Sequence, residues 1–258
     1  MTTLATVRED ARAVATARAK TALVTAGSAV FRRVFERVEP TVTFEELVPD
    51  GARVDPGTNL WRVHGTGRAL LMAERTALNL TQRMCGTATL ARTYVDALPE
   101  GSKTRVTDTR KTTPGLRVLE RYAVRCGGAH NHRDNLGTAI LIKDNHIVAA
   151  GGLTEAVTRA RALAPHTTRI EVEVQSHEQL DQALAVRADV IMLDNSSLDD
   201  LRAAVARARG HAMLEASGGI TLATLAAVAA TGVDIISVGA LTHSAPAADI
   251  SLDLALAT

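Results

Sequence analysis

The sequence predicts an α/β protein in two parts: a small N-terminal sheet with helices on one side, followed by a six-stranded α/β barrel. Of the 258 residues, 46% are hydrophobic, which is enough for a sizeable core. From about residue 104 onward, short apolar runs alternate with helical segments. Charged residues or glycines follow these runs. Such an alternation is typical of strand–helix units that build a parallel sheet.

The first hundred residues are predicted to hold helices and short extended segments. We expect a helix over residues 8–20 and a second one around residues 28–38. Glycines and prolines, which favour turns, then divide the chain into short extended pieces as far as Gly67. A longer helix with leucines at helical spacing is predicted from about Leu70 to Ala97, and it would link the two parts.

Six runs rich in Val, Ile or Leu are predicted as the parallel strands, because strands buried on both faces are almost continuously apolar. An open doubly wound sheet and a closed barrel both fit this pattern. The barrel is favoured because it would bring all six strand ends to one ligand. The runs cover residues 104–109, 139–145, 169–174, 189–195, 212–217 and 234–240.

Several helix ends in this second part can be predicted from local motifs. Ser176 with Gln179 three residues later forms a capping-box pattern. Two further helices are predicted to begin at Ser197 and Thr221. Gly232 is expected to adopt the left-handed conformation that commonly ends a helix.

The composition argues against several classes of protein. The 29 basic and 28 acidic residues give a net charge of +1, and Phe 3, Tyr 2 and Trp 1 supply few stacking surfaces, so no nucleic-acid binding is expected. No stretch approaches the ~18 apolar residues of a spanning helix, so we expect no membrane insertion and a cytoplasmic location. Cys85 and Cys126 are expected to be buried, unreactive thiols.

Charged residues end the first four predicted strands, and small residues, mainly glycines, end the last two. The carboxyl ends of parallel strands face one side of the sheet, so these residues are predicted to form the functional site. They are Asp108, Arg110, Lys111, Lys143, Asp144, Asn145, Glu171, Glu173, Asp194, Asn195, Ser217, Gly218, Gly219 and Gly239.

The cations predict a ligand with several negative charges. Arg110, Lys111, Arg133 and Lys143 would lie on the same rim. Arginine binds carboxylates and phosphates through a bidentate pair of hydrogen bonds, whereas lysine acts as a point charge. Glycines in the motifs ASGGI and SVGA would let backbone N–H groups approach a phosphate.

Glu173 and Asp194 need a reason to lie among these cations. They could bind a divalent metal that bridges a pyrophosphate, or accept hydrogen bonds from ribose hydroxyls. Simple charge balance is the alternative. One of His130, His132 and His146 is expected to orient a substrate rather than bind zinc, because HExxH and cysteine ligands are missing. Lys143 could also form a Schiff base, as in an aldolase.

Long, ordered blocks of the chain resemble the quinolinate phosphoribosyltransferase family. The motifs include AERTALN, TDTRKTTPG, GGAHNHR, ILIKDNH, IEVEV, VIMLDN and LEASGGIT. The resemblance extends from about Ala11 to the end of the chain. Family members normally begin with a further acidic helical segment, and this chain is expected to start after it.

The resemblance implies an N-terminal α/β sandwich with a linking helix over residues 1–98 and a six-stranded α/β barrel over residues 99–242. A C-terminal tail, residues 243–258, would return to the first domain. It also implies a homodimer or a hexamer of dimers with shared active sites, in which Arg75 reaches a neighbouring subunit's site.

The implied reaction transfers a phosphoribosyl group from phosphoribosyl pyrophosphate to quinolinate, giving nicotinate mononucleotide, CO₂ and pyrophosphate in de novo NAD biosynthesis. Mg²⁺ is the implied cofactor, with Glu173 and Asp194 as its ligands. The residues implied to be catalytic are Arg110, Lys111, Lys143, Glu173 and Asp194. Those implied to bind substrate are Arg75, Thr109, His132, Arg133, Ser217, Gly218, Gly219, Val238, Gly239 and Ala240.

Three alternatives stay open at this point. One is a catalytically silent homologue, and another is a homologue of altered specificity, such as the sister family associated with molybdenum transport operons. The third is a phosphate-binding barrel aldolase or isomerase.

Overall fold

A computed structural model describes residues 1–257; Thr258, the last residue of the predicted tail, lies outside it. The described chain divides into two compact units. The first unit contains residues 1–93, 112–128 and 240–257, and the second contains residues 94–111 and 129–239.

The elements are numbered in chain order. The first ten are α1 (Thr2–Thr6), β1 (Arg12–Ala19), β2 (Leu23–Val24), α2 (Ser28–Val38), β3 (Thr43–Glu46), β4 (Arg53–Val54), β5 (Asn59–Thr66), α3 (Gly67–Asp96), β6 (Arg105–Thr107) and α4 (Arg117–Cys126). The others are β7 (Ile140–Ile142), α5 (Asp144–Ala150), α6 (Leu153–Leu163), β8 (Ile170–Val174), α7 (His177–Ala185), β9 (Val190–Asp194), α8 (Leu198–Ala208), β10 (Met213–Ser217), α9 (Leu222–Ala229), β11 (Ile235–Ser237), α10 (Ala240–His243) and β12 (Ile250–Leu256).

The first unit is built on a four-stranded antiparallel sheet with the strand order β12-β1-β5-β3. The C-terminal strand β12 pairs along β1, with Ala19 opposite Ile250 at one end of the ladder. One sheet face packs against aromatic residues: the ring centroids of Phe31 and Trp61 lie 5.0 Å apart, and both side chains are fully buried. This aromatic cluster is the centre of the core of the first unit.

The helix predicted over residues 8–20 is wrong, because most of this segment is strand β1. Its buried positions are Ala13, Ala15, Ala17 and Ala19, in strict alternation. Alanine is the strongest helix former and carries a weak hydrophobic signal, so the alternation is hard to recognise in the sequence. The predicted helices around residues 28–38 and 70–97 are confirmed as α2 and α3.

The second unit contains all six predicted parallel strands, in the order β6-β11-β10-β9-β8-β7. The last strand, β11, pairs with the first, β6, as a barrel requires. Within residues 1–257, no ladder joins β6 to β7, so the barrel is open along this seam. There the backbone of His130 forms a parallel bridge with Thr107, the last residue of β6. The predicted α/β fold class, with a barrel of six strands, is confirmed.

The predicted helix starts are also confirmed. Ser176 caps α7 by accepting a hydrogen bond from the backbone N–H of Gln179. Ser197 and Thr221 are the N-caps of α8 and α9. Gly232 has a φ of 92°, in the left-handed region.

The two thiols differ in exposure. Cys85 is fully buried, and burial raises its pKa to about 12, so this thiol is protonated at neutral pH. Cys126 is only partly buried, and the prediction of a buried thiol is therefore too strong for that residue. Of the helices in residues 1–257, none has the length and apolarity to span a bilayer.

Candidate active site

A cavity of about 480 Å³ opens at the carboxyl ends of the parallel strands, and residues on or after all six strands line it. This follows from the parallel arrangement, which points every strand end to the same side. The lining residues are Thr109, Arg110, Lys111, His132, Arg133, Leu136, Leu141, Lys143, His146, Glu173, Met192, Asp194, Glu215, Ser217 and Ser237. The cavity thus contains the five predicted catalytic residues, with Thr109, His132, Arg133 and Ser217.

Lys143 and Glu173 form an ion pair in this cavity. The distance from Lys143 Nζ to Glu173 Oε2 is 2.6 Å, and the side chains are 48% and 8% exposed, respectively. Lys143 is also the N-cap of α5, and its backbone N–H donates to Nδ1 of His146 at 3.0 Å. The ion pair thus holds the ammonium group against a buried carboxylate, and the hydrogen bond to His146 fixes the backbone of Lys143.

His132 is fixed through its backbone and its ring. Its backbone N–H donates to Oδ1 of the fully buried Asp108 at 2.8 Å. Its ring Nε2 lies 3.1 Å from Glu171 Oε2 and 3.3 Å from Glu215 Oε2. Burial would lower the pKa of His132, but hydrogen bonds to the two carboxylates outweigh it and raise the pKa to about 10.

Two guanidinium groups add positive charge to the same cavity. Arg133 Nη1 donates to the carbonyl oxygen of Ala139 at 3.0 Å. Burial lowers the pKa of Arg133, and the nearby charge of Arg110 lowers it further. Like charges that are brought together in a partly buried cavity favour an anion between them.

The acidic residues Glu173 and Asp194 lie on neighbouring strands, β8 and β9. Asp194 Oδ2 accepts a hydrogen bond from Asn195 Nδ2 at 2.8 Å. Both carboxylates face the cavity, and oxygen donors are the ligands that Mg²⁺ prefers. In the described chain, His132, Glu171 and Glu215 also come together at this cavity, with one nitrogen or carboxylate oxygen of each lying within 4.8 Å of the others.

The glycines predicted to hold a phosphate follow β10. Gly218 and Gly219 have φ values of 88° and 60°, which place both in the left-handed region. They line a second cavity of about 360 Å³, which shares Ser217 with the first one. A Cβ atom at Gly218 would collide with the Asn195 side chain, whereas one at Gly219 would meet open space.

The remaining predicted residues lie outside the two cavities. Val238 follows β11, and its backbone N–H donates to the carbonyl oxygen of Thr107 at 2.9 Å. Gly239 comes next, and Ala240 begins α10. Arg75 lies on α3 in the first unit, with its side chain 74% exposed and 2.6 Å from Glu74. It does not line the cavity of its own chain.

Glu215 has no role predicted from the sequence, and Glu171 is predicted only as a strand-end residue. Both are buried; Glu171 shares β8 with Glu173, and Glu215 is the one charged residue of β10. A glutamate inside a buried strand could have been recognised as a signal, because buried carboxylates are rare unless they have a partner.

A larger cavity, of about 790 Å³, opens at the opposite, amino ends of the strands in the same unit. Its acids Asp189 and Asp234 accept hydrogen bonds from the backbone N–H groups of Ile170 and Leu214. These carboxylates are therefore engaged in holding the strand starts in place. We place the candidate active site at the carboxyl ends of the strands instead.

The structure is an α/β barrel whose strand ends surround a cavity rich in cations, as in barrel enzymes that act on anionic substrates. The family model for the quinolinate phosphoribosyl transferase C-terminal domain matches residues 87–253, and the N-terminal domain model matches residues 1–85. The chain therefore belongs to the quinolinate phosphoribosyltransferase family, whose members are pentosyltransferases of NAD biosynthesis.

Individual relatives agree with this assignment. The probable nicotinate-nucleotide pyrophosphorylase [carboxylating] of Bacillus subtilis is 45% identical over 92% of this chain and 82% of its own length. The nicotinate-nucleotide pyrophosphorylase [carboxylating] of Mycobacterium leprae is 50% identical over 80% of this chain and 73% of its own length. The crystal structure of NadC from Streptococcus pyogenes is 41% identical, with a TM-score of 0.95, over 100% of this chain and 91% of that one.

The family resemblance found in the motifs is thus confirmed, together with the fold class and the class of enzyme. The alternatives of a barrel aldolase or isomerase, a silent homologue and a homologue of altered specificity are not favoured.

Proposed function

We propose that the cavity residues bind quinolinate and phosphoribosyl pyrophosphate and catalyse decarboxylating phosphoribosyl transfer, with nicotinate mononucleotide, CO₂ and pyrophosphate as products. The observation that carries this proposal is the concentration of positive charge: Arg110, Lys111, His132, Arg133 and Lys143 all line one cavity. A dicarboxylate and a pyrophosphate together carry enough negative charge to pair with these cations.

Quinolinate is assigned to the side of the cavity formed by His132, Arg133 and Lys143. Two adjacent carboxylates need several cationic partners in a partly buried site, because an unpaired charge there is costly. Leu136, Leu141 and Met192 supply the apolar surface on which a pyridine ring would lie.

The phosphoribosyl group is assigned to the strand ends that carry glycines. Gly218 and Gly219 leave the backbone accessible just before helix α9, where N–H groups can bind the 5′-phosphate. Val238, Gly239 and Ala240 are assigned to the same phosphate. The carboxylates of Glu173 and Asp194 accept hydrogen bonds from the ribose hydroxyls.

Glu173 and Asp194 would also hold Mg²⁺, because their carboxylate oxygens suit this ion and both face the cavity. Bound Mg²⁺ would neutralise charge on the pyrophosphate. Glu173 then has two possible partners, the metal ion and Lys143. We infer that Lys143 moves to a substrate anion when Glu173 is engaged elsewhere.

The chemistry proceeds through charge stabilisation and needs no covalent bond to the protein. As the bond between ribose C1 and pyrophosphate breaks, Arg110 and Lys111 stabilise the charge that develops on the leaving oxygen. The nearby carboxylates stabilise the cationic ribose, and the pyridine nitrogen of quinolinate attacks its C1. The resulting pyridinium accepts the electron pair released when the C2 carboxylate leaves as CO₂, and a proton takes its place.

A second copy of the chain is proposed to complete the site. Helices α2 and α3 border an apolar groove of about 600 Å³ in the first unit, where Val38 and Met72 are 40% and 61% exposed. Arg75 lies one turn beyond Met72 on the same face of α3. A homodimer that buries this face would carry Arg75 toward the neighbour's cavity.

The stoichiometry of the products tests the reaction. Purified protein with quinolinate, phosphoribosyl pyrophosphate and Mg²⁺ should form equal amounts of nicotinate mononucleotide, pyrophosphate and CO₂. Borohydride treatment with a sugar phosphate provides the control, because a Schiff-base aldolase would be trapped at a lysine. Trapping without nucleotide formation would contradict the proposal.

A further inference from the structure

We propose that Glu171 and Glu215 are positioning residues that hold His132 as an oriented imidazolium at the base of the active-site cavity. His132 would thereby present a permanent positive charge to quinolinate. This inference rests on the proposed function, in which His132 binds that substrate. Neither glutamate needs to contact the substrate itself.

The geometry supports a three-residue unit. Strands β8 and β10 approach the same ring nitrogen, with Nε2 to carboxylate distances of 3.1 and 3.3 Å. These lengths suit an N–H group shared between two acceptors. The side chains of His132, Glu171 and Glu215 are 14%, 10% and 1% exposed, so water screens the contacts little.

The carboxylates have few other partners. In residues 1–257, Oε1 of Glu171 and Oε1 of Glu215 are buried and accept no hydrogen bond. A buried carboxylate that lacks a hydrogen-bonding or charged partner is strongly destabilising. The ring of His132 is the hydrogen-bonding group that both acids share, which explains why these two buried acids lie so close to a cluster of cations.

Charge on the ring follows from this arrangement. Besides the two glutamates, Arg133 faces Glu171, while Asp108 holds the backbone of His132. Burial opposes the charged ring, but the two glutamates raise the pKa of His132 to about 10. Because this value lies above the ordinary 6.5, the ring stays protonated through neutral pH and loses its proton only as the pH rises toward 10.

The test uses Glu215→Gln, which keeps the side-chain volume and removes the charge. The ratio of variant to wild-type kcat/KM for quinolinate should be near one at about pH 6 and fall roughly 10-fold or more by about pH 8, as the ring becomes neutral. The kcat/KM for phosphoribosyl pyrophosphate should change less than about two-fold. Glu178→Gln, on the exposed surface of α7, is the matched control.

A double-mutant cycle with His132→Asn separates this inference from the proposed function. If Glu215 acts through His132, then Glu215→Gln should have little further effect in the His132→Asn background. An unchanged kcat/KM for quinolinate in His132→Asn alone would contradict the proposed role of His132. Two results would overturn the positioning role, given a loss of activity in His132→Asn. One is no loss in Glu215→Gln. The other is a loss from Glu215→Gln that is equally large in the wild type and in His132→Asn.

Two measurements keep the inference testable if Glu215→Gln does not fold. Glu171→Gln should show the same pH-dependent loss. In the wild type, the ¹⁵N shifts of the His132 ring, assigned by their loss in His132→Asn, should be those of imidazolium at about pH 8. A neutral ring at that pH would overturn the inference. So would a transition metal that binds tightly to the wild type but not to His132→Asn, because the three residues would then be metal ligands.

Discussion

Lys143 Nζ lies 2.6 Å from Glu173 Oε2, across the neighbouring parallel strands β7 and β8. The register explains this contact. Ile142 is opposite Val172, so the residues that follow them, Lys143 and Glu173, are also side by side. The pair connects the cation side of the cavity to the proposed metal side. We therefore expect occupancy of one side to change the charge available on the other.

Removing the ammonium group tests the cation side. Lys143→Ala should lower kcat/KM by about 30- to 1,000-fold, which corresponds to about 2–4 kcal/mol of lost transition-state stabilisation. The loss arises because a substrate anion lacks its cationic partner. Steady-state kinetics would measure it, with Lys103→Ala, an exposed lysine before β6, as the control. Equal rates in the two variants would refute the assignment.

The two glycines after β10 provide a matched pair for the phosphate assignment. Both need a positive φ, but only at Gly218 would a Cβ atom collide with the Asn195 side chain. Gly218→Ala should therefore raise KM for phosphoribosyl pyrophosphate by about 10-fold or more, and Gly219→Ala by clearly less. The reverse order in KM would show that crowding next to Asn195 is irrelevant.

Mixing experiments test whether active sites are shared between chains. Arg75→Ala and Lys143→Ala should each be nearly inactive alone. After subunit exchange of equal amounts, about half of the dimers are mixed, and each mixed dimer has one intact site of two. The mixture should therefore recover about a quarter of the wild-type activity.

The control is a mixture of Arg110→Ala with Lys143→Ala. Both residues line the cavity of one chain, so this mixture should stay inactive. Recovery in the control, or none in the Arg75 mixture after verified exchange, would argue against a shared site.

The alanine face of β1 makes a prediction about stability. Ala15 is fully buried among the core residues of the first unit, so a larger side chain has no space there. Ala15→Leu should lower the free energy of unfolding by about 1–3 kcal/mol. Denaturant titration measures this, with Val14→Leu on the less buried face as the control. Equal stability of both variants would mean that the alanine face is loosely packed.

The parallel strands were predictable because each is a short apolar run that ends in a charged or small residue. Strand β1 was not, since its buried face consists of alanines and a helix is the stronger local preference for this residue. Its strand form depends on pairing with β5 and with β12, more than 200 residues away in sequence. Local sequence does not encode such distant partners.

Much of the candidate site was predictable for the same topological reason. Strand ends converge, so residues such as Arg110, Lys143 and Asp194 could be grouped without a structure. The partners within the group could not be predicted. The contact between His132 and Glu215 depends on which strand faces which loop across the barrel, and this follows from the closure of β11 on β6.

The central claim is that the cation cluster is built for a dicarboxylate. The measurement that tests it most directly is nucleotide formation from phosphoribosyl pyrophosphate with quinolinate or with nicotinate, each with and without EDTA. Nicotinate lacks the C2 carboxylate and would leave a cation unpaired, so we predict a preference for quinolinate of up to about 10⁴-fold. One CO₂ should form per nucleotide, and EDTA should abolish turnover. Equal use of nicotinate, or nucleotide formed without CO₂, would contradict the claim.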